Sequence, residues 1–189
     1  MAKTSSKKQI TSWKRKKNYD VVTPDNFERQ VIGTTMASEP QQLAGRTVQV
    51  NMSDVTGDRS KQYVTLAFEL DEVDGNQVKT KFKRYTIPSS YLRGKVRKGM
   101  SKVDYIGDPV IGGQKFRVKI IVLSHCHLSE SQRKDVLAAI VNIIRQHNKD
   151  EVEQFVQFAL FGKLGTEIYR VVKKIVPVTW AEVSHVELK

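Results

Sequence analysis

The sequence predicts an α+β fold: an N-terminal β-rich sheet or barrel, then helices, then a returning C-terminal strand, with a flexible basic N-terminal arm in front. Three observations predict it. Apolar residues recur with period two from Tyr19 to about His127 and with helical period from Ser129 to Val176, and extended patterning returns over 178–188. The boundaries follow: a basic arm over 1–18 and a single α+β domain over 19–189, β-rich over 19–127, helical over 129–176 and finished by a strand over 178–188.

Taken in chain order, residues 1–17 offer only Ile10, Trp13 and a few small side chains as apolar material. Such a stretch buries too little surface to offset its ordering entropy, so it reads as an arm that is flexible when alone. Trp13, beside Lys14, Arg15, Lys16 and Lys17, has two readings that both stand: it stacks on a base or partner, or it packs on the edge of its own domain. Strands are expected at 31–38 and 46–52. Over 63–70 the alternation puts Val64, Leu66, Phe68 and Leu70 on one face, as a half-buried strand requires. Asp74-Gly75-Asn76 is a tight-turn signal, and alternation resumes over 78–87, which makes a β-hairpin.

Pro88-Ser89-Ser90 opens a short helix through Tyr91 and Leu92 to about Val96, broken by Gly94 or Gly99. A second strand pair, 102–106 and 116–123, brackets a turn region with Gly107, Asp108, Pro109, Gly112 and Gly113. About six strands with hairpin connections can curl into a barrel, and the sequence leaves closure open. Then the period changes. Ser129 and Gln132 have capping-box spacing ahead of a stripe of Val136, Leu137, Ile140, Val141 and Ile144. Asp150 with Glu153 repeats the signal before Val152, Phe155, Val156, Ala159 and Leu160, and Gly162 supplies the stop. A third helix starts near Thr166, buries Ile168, Val171, Val172 and Ile175, and ends before Pro177; Trp180 lies on the final strand.

The net charge of +12 is concentrated in two stretches that contain no acid. One is the arm, with Lys3, Lys7, Lys8, Lys14, Arg15, Lys16 and Lys17. The other is 75–103, with Lys79, Lys81, Lys83, Arg84, Arg93, Lys95, Arg97, Lys98 and Lys102. Together they hold sixteen of the 32 basic residues and none of the 20 acids, so the rest, sixteen cations against twenty acids, is net −4. Segregated cationic zones on a mildly acidic body read as the footprint of a polyanion, nucleic acid above all. Lys79, Lys81 and Lys83 share one strand face at a spacing of about 6.5–7 Å, comparable to that of phosphates along an extended single strand. The alternative is a solvated strand face, against which the absence of acids over 75–103 weighs. Lysine neutralisation of phosphates supplies affinity and register but little base specificity.

Other classes have less to stand on. His125-Cys126-His127 lacks a second Cys or His cluster to complete a tetrahedral site, so no metal is assigned. Asp71, Glu72 and Asp74, like Asp54 and Asp58, read as turn formers, and no nucleotide-binding or hydrolase motif is present; no catalytic residue and no cofactor are assigned. A lone cysteine excludes an intramolecular disulfide. No signal-peptide core and no run of about 18 apolar residues is found, and the polybasic arm comes without an acylation motif or anchoring helix, so the expectation is a soluble cytoplasmic protein without a membrane partner.

The segments Tyr19-Asp20-Val21-Val22-Thr23-Pro24, Leu43-Ala44-Gly45-Arg46-Thr47-Val48-Gln49-Val50 and Asp71-Glu72-Val73-Asp74-Gly75 occur in that order. They are followed by Leu164-Gly165-Thr166-Glu167-Ile168, Ile175-Val176-Pro177 and the strand from Val183 to Leu188. At these spacings, over almost the full chain, they resemble the small-subunit ribosomal protein family shared by archaea and eukaryotes, written out as eS-one and formerly the S-three-a-e type. The resemblance implies a non-enzymatic, ribosome-associated protein of the small-subunit platform near the messenger RNA exit. It would contact ribosomal RNA near its 3′ end and neighbouring ribosomal proteins, with contact to messenger RNA left open. The short arm and the end just after Leu188 look like the archaeal form. The family has no catalytic residues to carry over, so the RNA-contacting positions rest on charge placement. A free RNA-binding regulator or RNA chaperone is the alternative with the same electrostatics.

Overall fold

Two-residue turn chemistry sets up the longest hairpin of the chain. Gly75, at φ 61°, reverses the backbone between β4 (Thr65–Asp74) and β5 (Gln77–Thr86). The structure, a computed structural model, describes residues 16–27, 29–149 and 151–189. Nine strands and five helices occur among the described residues, more strands than the sequence pattern separates. Residue contacts cluster in two compact units, one of described residues up to 62 with 66–83, the other of 63–65 with 84–189.

In the first unit, β1 (Lys17–Val22) runs antiparallel to β2 (Val31–Ala37), with a bulge before the Val22–Val31 pair. β1 also pairs in parallel with the start of β5, Asp20 opposite Gln77 and Val22 opposite Lys79. β3 (Thr47–Asn51) pairs with β4 and leads into a short helix α1 (Met52–Thr56), which Gly57 ends at φ 71°. Tyr19, Val21, Ala37, Leu43, Leu70 and Val78 form the core, with Ile32, Val48 and Val73 packed against it. The Leu43-Ala44-Gly45-Arg46 segment is part of that architecture. Leu43 is fully buried, the Gly45 N–H donates to the Leu70 carbonyl at 3.0 Å, and the Leu70 N–H donates to the Arg46 carbonyl at 2.8 Å.

In the second unit β8 (Gln114–Ser124) is flanked by β6 (Ser101–Gly107) and β9 (Val178–Leu188), both antiparallel to it. The last residues of β5 add to the free side of β9, Arg84 opposite Glu187 and Thr86 opposite His185. A two-residue β7 (Val110–Ile111), not anticipated from the sequence, folds onto the start of β8 across Gly112-Gly113. Pro88 leads into α2 (Ser89–Lys95), as the sequence indicates. The apolar stripe expected after Leu128 forms α3 (Glu130–Gln146), followed by α4 (Val152–Leu160) and α5 (Lys163–Val172). Phe116, Val118, Ile120 and Val122 of β8 are all fully buried, with the Phe116 ring 5.9 Å from that of Phe155 in α4.

Ser129 caps α3 as its spacing requires: its hydroxyl accepts from the Gln132 N–H at 3.3 Å while Gln132 Oε1 accepts from the Ser129 N–H at 3.1 Å. Ser129→Ala is therefore expected to lower stability by about 1 kcal/mol, seen as a reduced urea midpoint at unchanged slope. The later helices depart from expectation. α4 takes Glu151 as N-cap without a side-chain bond, and the proposed cap Asp150 lies outside the described residues. α5 starts at Lys163, not near Thr166, because Gly162 in the left-handed region lets one helix follow the other directly. It ends correspondingly early, at Val172, so Ile175 is 39% exposed where the sequence pattern buries it.

Candidate nucleic-acid interface

Of the proposed arm contacts, Lys3, Lys7, Lys8, Trp13, Lys14 and Arg15 lie outside the described residues. Lys16 and Lys17 are exposed, and β1 begins at Lys17.

The second cationic zone is continuous in sequence, but the boundary between the units falls between Lys83 and Arg84. In the first unit Lys79, Lys81 and Lys83 line one side of β5, with Val78 and Thr80 buried on the other, where the Thr80 hydroxyl donates to the Val22 carbonyl at 2.9 Å. The hairpin also brings acids of β4 alongside this ribbon. Lys81 Nζ lies 2.7 Å from Asp71 Oδ2, and Lys83 Nζ lies 3.0 Å from Glu69 Oε2. The Asp71 carboxylate accordingly raises the Lys81 pKa. Charge segregated along the chain is thus mixed on this surface, and the ribbon is less cationic than its own sequence. Lys79 has no acid within ion-pair distance among the described residues.

In the second unit the middle of the zone, from Arg93 to Lys98, keeps clear of acids among the described residues. Arg93 and Lys95 occupy the last turn of α2, where cations suit the helix dipole, and Arg97 and Lys98 follow in the loop; all four are exposed. Among the described residues Arg93, Arg97 and Lys98 have no acidic partner. Lys95 instead holds its ammonium 5.0 Å from the centroid of the Tyr91 ring, which is stacked on Tyr63 at 3.9 Å. The Tyr63 hydroxyl donates to Glu182 Oε1 at 3.0 Å; burial, reinforced by that carboxylate, raises its pKa well above the usual phenol range. Arg84 sits opposite Glu187, and Lys102 pairs with Asp104 at 2.9 Å.

Sequence reasoning missed Arg117 and Lys119, which the β8–β9 register sets opposite Glu187 and His185, beside Arg84 and Thr86 across the sheet. The same period-two alternation that exposed the β5 lysines was present at Lys115, Arg117 and Lys119. Arg117 is held by Asp108, with Nε to Oδ1 at 3.0 Å and Nη2 to Oδ2 at 3.2 Å. Arg117, and then Lys189, draw the Asp108 pKa down to about 2.

His125, Cys126 and His127 are exposed, and no group of three or more metal-capable side chains occurs among the described residues. No helix of the described residues is long and apolar enough to cross a membrane.

Fold and surface together define a mixed α+β protein that carries an acid-free cationic helix and loop, α2 and 96–100. The chain belongs to the ribosomal S3Ae family, whose pattern matches residues 4–189. Its similar relatives include the small ribosomal subunit protein eS1 of Methanobrevibacter smithii, 32% identical across 97% of this chain and 96% of that protein. The eS1 proteins of Methanothermobacter thermautotrophicus and Sulfurisphaera tokodaii are 34% and 35% identical, each across 97% of this chain and across 95% and 97% of their own lengths.

Proposed function

We propose that the chain is a structural constituent of the small ribosomal subunit, bound to ribosomal RNA through the cationic end of α2 and its loop, with the arm over 1–18 supplying further phosphate contacts to a single domain over 19–189. Family membership across nearly the whole length carries the ribosomal part of this reading. The exposed Arg93, Lys95, Arg97 and Lys98, clear of acidic partners, support the choice of RNA-facing surface. On the family resemblance, its place is the platform near the messenger RNA exit, with the 3′ region of the ribosomal RNA and neighbouring ribosomal proteins as partners and no catalytic role. The ribbon of Lys79, Lys81 and Lys83 contributes less than the α2 end, since two of its three lysines already face carboxylates.

Sucrose-gradient sedimentation at moderate salt tests the ribosomal role. The full chain is expected to travel with small subunits; recovery at the top of the gradient would favour a free RNA-binding regulator. Removing residues 1–15 is expected to weaken retention on small subunits while leaving the circular dichroism of the remaining chain unchanged. Equal retention without them would remove the arm from the interface.

A further inference from the structure

The Tyr63 and Tyr91 rings lie parallel, 3.9 Å between centroids and 3° between planes. Aromatic pairs prefer offset or edge-on geometry because their negative faces repel, so a parallel pair this close needs an anchor. The hydroxyl of Tyr63 supplies it through Glu182, a residue fixed in β9 opposite Ile121. Tyr91 is carried on α2 and rests one face on Tyr63. Lys95, one helical turn later, places its ammonium 5.0 Å from the Tyr91 centroid. With Tyr63 already at stacking distance on one side, that cation takes the other. The outer face of a half-buried aromatic ring is therefore covered by the end of a long, exposed lysine side chain rather than by packed core. Arg93 in the last turn of α2, and Arg97 and Lys98 in the loop that follows it, are exposed and without acidic partners among the described residues.

We propose that Tyr91 is a stacking platform for an unpaired RNA base, held flat by Tyr63 and covered by Lys95 until the base arrives. This rests on the RNA-binding reading above and adds a preference for unpaired nucleotides that lysine neutralisation alone does not give. Bases without a pairing partner are recognised by stacking on aromatic side chains, and such stacking is stronger than an exposed cation–π contact. The arriving base displaces the ammonium, which then meets the nucleotide's own phosphate alongside Arg97 and Lys98. A duplex offers no free base face and gains only the phosphate contacts.

The test compares binding of the purified full chain to a short oligouridine and to a short RNA duplex. Tyr91→Leu is expected to weaken oligouridine binding about tenfold while leaving duplex binding within about twofold; Tyr91→Phe, which keeps the ring, is expected to match the parent on both. Duplex binding by the leucine variant doubles as the control for folding. A 4-thiouridine oligomer crosslinked to the unaltered chain is expected to mark the peptide that holds Tyr91. Equal loss on both RNAs, no loss on either, or crosslinks confined to other peptides would overturn the platform while leaving phosphate binding intact. Failure of the parent chain to bind either RNA would remove both readings together.

Discussion

Replacing Arg93, Arg97 and Lys98 together by glutamine is expected to weaken binding of the full chain to small-subunit ribosomal RNA by about a hundredfold at moderate salt. Each cation that neutralises a phosphate releases condensed counterions, and each contributes roughly 0.7 to 0.9 to the slope of log affinity against log salt. Losing three such contacts lowers the slope by roughly two to three, which near 0.1 M salt corresponds to about two orders of magnitude. These three residues are exposed and face no carboxylate among the described residues, so their charge is not already spent inside the protein. Filter binding across a salt series reads both quantities at once. A slope unchanged from the parent chain would place the RNA elsewhere.

The β5 lysines make the informative contrast. Lys81→Gln with Lys83→Gln should cost less per residue in that same salt series, because Asp71 and Glu69 at 2.7 and 3.0 Å already share those charges. Surface ion pairs of this kind are weak, so a phosphate can compete for them, but only against a standing carboxylate.

The same contrast marks where the sequence was legible and where it was not. Local signals carried through well: the capping box at Ser129, the turn at Gly75 and the extended segment 178–188 each depend on a few neighbouring residues, and each forms where its pattern places it. Pairing between strands is not local. Reading β5 alone, Lys79, Lys81 and Lys83 form an unbroken cationic face; only the hairpin brings Asp71 and Glu69 beside it. Arg117 and Lys119 were overlooked for a related reason, since the apolar run that follows in β8 draws attention to its buried face. The stack of Tyr63 on Tyr91 joins residues from distant parts of the chain, and nothing in the spacing of either residue announces it. The segments that carry the family resemblance are also instructive, because Leu43, Gly45 and Gly165 take part in packing and backbone pairing. Resemblance located the family; the proposed RNA-facing surface rests on charge placement and tertiary pairing.

Gly165→Val should be a strongly damaging single change to the fold, because helix packs closely on strand there, lowering stability by about 3 kcal/mol. A Cβ at Gly165 would stand 3.0 Å from the Ala181 carbonyl oxygen and 3.3 Å from the Glu182 Cα, both backbone atoms of β9. That strand cannot retreat, because it is hydrogen-bonded to β8 along nearly its whole length and to the end of β5 on its other side. Helix α5 would have to lift instead, opening the layer that buries Leu164, Ile168 and Val172. Alanine separates sterics from propensity: it meets the same two atoms but gains up to about 1 kcal/mol of helix preference over glycine, so Gly165→Ala should lie much closer to the parent than valine does. Urea unfolding of the three proteins reads the order directly. A valine variant with the parent's midpoint would mean that α5 and β9 leave room at Gly165 for a branched side chain.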